Sequence, residues 1–503
     1  MNDQQTPRTV VIGAGPAGLT AAWWLARRGV LPLVLESDAQ VGGLARTVEY
    51  KGYRFDIGGH RFFTKVGPVE RLWKSMIGGD FLRRPRLSRI YYNQRFFDYP
   101  LKPMNALRGL GIINSFLVLL SYLWIQVSPI RPEHSFEDWV SNRFGRRLYR
   151  IFFKTYTEKV WGIPCDKIGA QWAAQRIKGL SLLTAVKDML LRSLRKGGST
   201  QIKTLIEEFE YPRLGPGMMW DAFDAEITRQ GGRVDLRSPV TRLEHAGGRI
   251  TAIEYAHDGA PHRVSVDRVI STMPLRQLIH ALSPAAPDAV RAAADGLHYR
   301  DFLTIALIID QPSLFPDNWI YVHDPSVKLG RIQNFKNWSP EMVPDGNMTC
   351  LGLEYFCFEG DGLWTMSDRA LLDLGGREIA QIGLLGGGKV VDGTVVRMPK
   401  AYPVYDEGFM DALAVVRQYL DGFSNLQVAG RNGMHKYNNQ DHSMVTALLA
   451  VQNLLGEHHD VWAVNADDDY HEESHVDLDD VYADLPELDA TQPRVPQAIP
   501  ERA

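Results

Sequence analysis

Three cysteines in 503 residues, Cys165, Cys350 and Cys357, are too few and too scattered for a disulfide framework, and no CxxC pair is present to seat a zinc ion. Charge of one sign is also lacking. With 56 basic and 59 acidic residues the net charge is -3, which gives no general attraction to nucleic acid. The opening MNDQQTPR has no apolar core of the kind a signal peptide needs, so a cytoplasmic setting is expected. No Ser-His-Asp or Cys-His constellation emerges from the spacing, no paired carboxylates stand out, and no internal repeat is present. His471-Glu472 and His475 have the HExxH spacing of zinc proteases, but their flanks are acidic and offer no amphipathic helix to seat a metal. From about Asp460 the acid- and proline-rich composition reads as a disordered tail.

What the chain does have is concentrated between residues 9 and 47. An apolar run, TVVI, breaks into Gly13-Ala14-Gly15-Pro16-Ala17-Gly18, and residues 19–28 follow with a helical pattern. A second apolar run, residues 31–35, ends in Glu36. This is the order of a βαβ unit with a phosphate-binding turn. Gly13 permits the tight turn, Gly15 lets a pyrophosphate approach the backbone, Gly18 lets helix and strand pack closely, and Glu36 is placed to accept a hydrogen bond from a ribose hydroxyl.

Downstream, residues 89–103 hold two aromatic runs around Asn93-Gln94, which predicts a β-hairpin. Residues 109–130 carry no charge. Length alone makes them a candidate membrane span, but a crossing there would put the Gly-rich turn and the late GRNGM segment, if they share one cofactor, on opposite sides of a bilayer, so a buried core helix is expected. Peripheral contact with a membrane is the alternative. Ser135-Phe136-Glu137-Asp138 reads as a capped helix start opening a helical region to about Lys203, where Lys and Arg outnumber Asp and Glu by 14 to 3 between Arg143 and Lys203. Strand patterns return after Gly232, and TIALIID, WIYVHD and MTCLGLEYFCF look like strands of a second sheet. At Gly430-Arg431-Asn432-Gly433 a strand, a glycine break and a helical stretch containing Met444 would aim backbone N–H groups at a bound cofactor.

The expected fold is α/β, with a discontinuous Rossmann-like domain, a helical insertion and a second, mixed β-sheet domain. Its pieces are 1–75, 205–274 and 398–459 for the dinucleotide, 76–204 for the hairpin and helices, 275–397 for the β-rich part and 460–503 for the tail. Arginines beside aromatics mark the middle of the chain: Arg176, Arg300, Arg331 and Arg431, with Tyr402 and Tyr405. Converging on one cleft, they would clamp a diphosphate, because a planar guanidinium grips phosphate oxygens bidentately.

Gly42-Gly43, Arg46 and Gly58-Gly59-His60 resemble the large FAD family that includes amine oxidases, protoporphyrinogen oxidases and sugar-nucleotide mutases. That resemblance implies FAD, with contacts from Gly13, Gly15, Gly18, Glu36, Gly43, Arg46, Gly59, His60, Arg431 and Met444. The blocks GGHRFFT, RIYYNQRFFDYPL, FFKTYTEKVWG, QRIKG, GLHYRDF, GRIQNF, YPVY and GRNGMHKYNNQD further resemble UDP-galactopyranose mutase, in order, to about residue 455. By that resemblance Arg176 and Arg331 would hold a substrate diphosphate, and Tyr156 and Trp161 would line the cleft. His60 would sit against the flavin, and Arg431, Tyr402, Tyr405 and Tyr437 would lie beside flavin and sugar.

The implied activity is isomerisation of a nucleotide sugar between pyranose and furanose forms, with reduced FAD as nucleophile and NADPH or NADH as candidate reductant. A net-redox FAD oxidoreductase of the amine oxidase, protoporphyrinogen oxidase or desaturase type is the rival, and a flavin-dependent scaffold serving a glycosyltransferase is the non-catalytic one. Expected partners are the nucleotide sugar and a second copy of the chain, with no nucleic acid.

Overall fold

Residues 8–64, 66–99, 101, 103–170 and 208–465 are described by a computed structural model of the chain. The strand Thr9–Ile12 is buried along its whole length and lies at the centre of a five-stranded parallel sheet. Its neighbours are Pro32–Leu35 on one side and Arg268–Ser271 on the other, and the sheet is completed by Arg233–Asp235 and Leu426–Val428 at the edges. The strands read as unbroken apolar runs rather than alternating ones because helices cover the sheet. Among them, Pro16–Arg27 packs against Gln440–Leu454 and Gly217–Arg229.

Proline at the first turn of the Pro16–Arg27 helix has a fixed φ that suits that position. Gly18 is required there by contact: a Cβ at this position would lie 1.8 Å from the Gly13 carbonyl oxygen.

A seven-stranded sheet forms the second layer. Its order is Val390–Pro403, Tyr299–Ile309, Thr349–Cys357, Arg331–Asn334, Trp319–Val322, Ser88–Tyr92 and Arg95–Asp98. All neighbours are antiparallel except Trp319–Val322 with Ser88–Tyr92. The expected hairpin forms, and Asn93 and Gln94 have φ of 50° and 58°, as a tight two-residue turn requires. It adds to this sheet rather than standing with the helices, because Ser88–Tyr92 finds its second partner there.

Ser135 caps Phe136–Phe144 through a capping box with Asp138, as its sequence predicts. The basic helical region beyond residue 170, with Arg176, and the tail beyond residue 465, with its HExxH string, lie outside the described residues, whereas Val461 and Val464, at the start of the stretch expected to be tail, are buried in the core.

One expectation is overturned. The uncharged stretch does form a helix, Pro103–Val127, but it lies on the surface instead of in the core. Ile112 is 90% exposed and Trp124 72%, while Val118, Tyr122 and Ile125 are the large apolar side chains it buries. Composition states how unfavourably a segment meets water; it does not state what covers it.

Candidate active site

A cleft of about 860 Å³ runs between the parallel sheet and the mixed sheet. It is lined by Gly13, Gly15, Glu36, Gly43 and Arg46, by Arg331, Tyr402, Arg431 and Tyr437, and by the Gly58-Gly59-His60 loop. A Cβ built on Gly58 would lie 3.6 Å from Arg331 Nη2 and 3.9 Å from His60 Cε1, so this loop packs directly on the arginine.

The glycine-rich part of the lining has the form of a dinucleotide cradle. A Cβ on Gly43 would stand 3.1 Å from Gly15 Cα, so the two backbones approach each other with no side chain between them. The Glu36 carboxylate accepts hydrogen bonds from the amides of Ala14, at 2.6 Å, and Asp38, at 2.9 Å, which fixes it at the end of the second strand. Arg46 is ion-paired to Asp38, yet its buried Nε has no hydrogen-bond partner among the described residues. The same holds for Oδ2 of Asp441, at the start of the helix that closes the cleft from the C-terminal side. Buried polar atoms without partners are costly, and here they sit in the walls of a cleft with a glycine cradle. These residues fit FAD.

Another part of the lining is cationic and aromatic. Arg331 faces Glu354 across adjacent antiparallel strands, and its Nε lies 2.5 Å from the fully buried carboxylate. Gln333 donates to the other oxygen of Glu354 at 2.8 Å. Burial opposes the charge on Arg331, but the Glu354 carboxylate outweighs it and the guanidinium stays cationic. Arg431 donates to the carbonyls of Asn438 and Ala401, both at 3.0 Å, and its guanidinium lies 4.6 Å from the centre of the Tyr437 ring. Tyr402 and Tyr437 stack with 5.6 Å between centroids. His60 is held far below the usual imidazole range, at about 3, first by burial and then by the charges of Arg431 and Arg331. It is therefore neutral at physiological pH.

In all, Arg46, Arg61, Arg331, Arg397, Lys400 and Arg431 oppose Glu36, Asp38 and Asp441 along the cleft walls. A cleft so charged attracts anions.

Several expected site residues lie behind the walls. Met444 is fully buried and accepts from Trp73 Nε1 at 3.0 Å; the helix period turns it into the core, and Ser443 lines the cleft instead. Tyr156 stacks on His323 at 4.6 Å and meets cleft residue Tyr321 edge-on, so it supports the wall. Trp161 is buried against Tyr402. Tyr405 accepts a hydrogen bond from the Tyr437 amide at 2.6 Å and so positions Tyr437 from outside the cleft. Arg300 spends its guanidinium on the carbonyls of Val160, Lys159 and Phe356.

Sequence reasoning missed Thr272, Gln333, Trp319, Lys400 and Asn439, all of which line the cleft. Of these only Asn439 had a local signal, since it caps the helix that follows. Among the described residues no cluster of His, Cys, Asp or Glu could hold a metal.

The family described as flavin-containing amine oxidoreductase matches residues 16–430. Among curated proteins, hydroxysqualene dehydroxylase of Zymomonas mobilis is 24% identical over 305 residues, 56% of this chain and 66% of that protein. Inactive all-trans-retinol 13,14-reductase of Danio rerio is 57% identical over 49 residues, 10% of this chain and 8% of that protein. The chain thus spans less than two thirds of the length of these relatives. Among solved structures, reduced UDP-galactopyranose mutase superposes with a TM-score of 0.77 and 22% identity over 92% of this chain and 98% of that one. Putrescine oxidase bound to putrescine does so with a TM-score of 0.59 and 14% identity over 90% and 99%. At these identities the likeness is one of fold.

Proposed function

The chain belongs to the flavin-containing amine oxidoreductase family, and we propose that it uses its cleft to interconvert the pyranose and furanose forms of a nucleotide sugar, with FAD held in the reduced state. The observation that carries this reading is the cationic and aromatic wall that shares the cleft with the glycine cradle, where Arg331 and Arg431 stand beside the stacked rings of Tyr402 and Tyr437. A substrate made of a sugar and a diphosphate needs both parts: guanidinium groups for the phosphate oxygens and flat rings against the sugar. The fold shared with reduced UDP-galactopyranose mutase fits it.

Gly13, Gly15 and the amino end of the Pro16–Arg27 helix would hold the FAD pyrophosphate, and Glu36 its ribose. Bound and reduced, by NADPH or NADH in the cell, the flavin would supply the nucleophile for the sugar's anomeric carbon. The chain's own residues would do the rest. Arg331, oriented by Glu354, and Arg431, oriented by two backbone carbonyls, would stabilise negative charge as the diphosphate departs and hold it for return. His60, neutral, would add a hydrogen-bonding face without a competing charge. Tyr405 would keep Tyr437 in place through its amide.

A net redox reaction is the second reading, favoured by the names of the curated relatives, which include a dehydroxylase and a nicotine dehydrogenase. The deciding experiment is an anaerobic assay on UDP-galactopyranose with dithionite-reduced enzyme. Isomerisation predicts many turnovers per reduction and no activity of the oxidised form, with no stoichiometric hydrogen peroxide when the oxidised enzyme is assayed in air. Turnover of an apolar or amine substrate by oxidised enzyme, with one acceptor consumed per product, would refute the mutase reading.

A further inference from the structure

The Pro103–Val127 helix has its polarity reversed. Asn114 and Ser121 face the protein: Asn114 Oδ1 accepts from Arg147 Nη2 at 2.6 Å, and Ser121 Oγ accepts from the Arg147 amide at 3.0 Å. Its apolar groups face outward. Ile112, Ile113, Phe116, Leu123, Trp124 and Val127 are each more than half exposed. A surface helix of a protein meeting only water shows the opposite arrangement, and a contiguous apolar face of this kind marks an interaction site.

The helix lies flat on its own protein. Near its amino end Gly109 O accepts from Arg95 Nη1 at 2.7 Å, and near its carboxyl end Gln126 Nε2 donates to Asn142 O at 3.0 Å. Between these anchors it kinks at Gly111, whose φ of 78° and ψ of 164° are not helical. A spanning helix leaves its two ends on opposite faces of a bilayer, whereas here both are fastened to one body.

The exposed charged residues between 103 and 150 have one sign. The three acids between residues 103 and 150 are used internally: Glu133 pairs with Arg143, Glu137 accepts from the Tyr149 hydroxyl, and Asp138 caps its helix. Arg108 on the helix, Arg131 just beyond it, and Arg146 and Arg150 are exposed; Arg146 belongs to the short helix packed against it. Exposed apolar side chains with a tryptophan among them, bordered by arginines, have the composition of an element that lies in the headgroup layer of an anionic membrane.

We propose that this face docks the enzyme on an anionic lipid bilayer as a monotopic, flat-lying contact. The docking is independent of the reaction assigned to the cleft. It also lies close to that cleft along the chain: just before the helix, Tyr99 packs its ring 4.8 Å from that of cleft residue Tyr321.

The test is co-sedimentation of the full-length, flavin-loaded protein with vesicles of phosphatidylcholine alone or with about a third phosphatidylglycerol, at low and high salt. Binding is expected to the anionic vesicles, to weaken in high salt, and to fall at least about tenfold in the double variant Phe116→Glu, Trp124→Glu. Arg146→Glu with Arg150→Glu should remove the preference for the anionic lipid while the apolar face is intact. Flavin absorbance in each variant shows that the fold is kept. Failure to bind either vesicle, or equal binding by Phe116→Glu, Trp124→Glu, would overturn the proposal. So would a dimer in analytical ultracentrifugation that this double variant dissociates while vesicles capture nothing, since the face would then belong to a second copy of the chain.

Discussion

Tyr211 Oη lies 2.5 Å from Asp56 Oδ2 in the interior, joining the strand that leads into the His60 loop to a strand that resumes more than a hundred residues later. Thr47 Oγ1 lies 3.0 Å from the other carboxylate oxygen. Burial pushes the Asp56 carboxyl up to about 7 in spite of both hydroxyls, which favour its charged form.

A pH dependence of stability follows. The folded pKa of Asp56 lies above its ordinary value of 3.8, so its contribution is fully present below about pH 4 and is lost as pH rises through about 7. Wild-type protein should lose on the order of a few kcal/mol from this group across that interval. Asp56→Asn, which cannot ionise, should flatten the dependence, as read by denaturant unfolding at a series of pH values. An unchanged slope would show that Asp56 is not the titrating group.

His60 predicts the complementary behaviour. With its folded pKa lowered to about 3, the unfolded chain binds the extra proton first, so stability from this group is present above about pH 6.5 and is lost as pH falls toward 3. Activity should show no inflection from His60 between about pH 5 and pH 8. His60→Gln should leave the shape of the pH–rate profile unaltered there and make the protein more resistant to acid.

Gly15→Val should abolish flavin retention while leaving the chain folded. The nearest atom to a Cβ at Gly15 is Gly43 Cα at 3.9 Å, so the new side chain fits the fold but occupies the cradle. Flavin absorbance after gel filtration, with circular dichroism for the fold, measures both. Gly18→Ala should instead destabilise folding itself, because its Cβ would collide with the Gly13 carbonyl.

Arg331 and Glu354 should be tested as a pair. Arg331→Ala strands a buried carboxylate and should cost about 3–5 kcal/mol of stability, which would confound any assay. Arg331→Lys keeps the charge but loses the planar fork, and should lower kcat/KM on a nucleotide sugar by about tenfold to a thousandfold with the flavin still bound. A variant with unimpaired kcat/KM would separate Arg331 from the diphosphate.

The parts of the fold legible in the sequence are those specified by near neighbours. The Gly13–Gly18 turn, the Asn93-Gln94 hairpin and the Ser135–Asp138 capping box each need only a few consecutive residues of the right type. Gly13, Gly15, Gly43, His60, Arg331, Arg431, Tyr402 and Tyr437, all singled out by sequence motifs, line the cleft. What stayed hidden depends on orientation and distant partners. Whether Met444 or Ser443 faces the cleft is a matter of one residue of helical rotation, and the pairing of Arg331 with Glu354 is created by strand register. Tyr156 and Trp161 carry the aromatic character of a binding wall yet pack behind it. The surface position of the apolar helix is hidden for a similar reason, since nothing within residues 109–130 states which face meets the protein.

The central strand of the cofactor sheet precedes its neighbours in the chain, and the Arg268–Ser271 side of the sheet is finished only by Leu426–Val428. The helix whose Asn439, Gln440, Asp441 and Ser443 close the cleft comes later still. A nascent chain that has not reached this segment therefore carries its dinucleotide turn with no finished pocket around it, and flavin loading is expected to await residues 426–454. Ribosome-stalled chains ending before residue 426 should emerge colourless, and the yellow form should appear only once the last strand and its helix have cleared the exit tunnel.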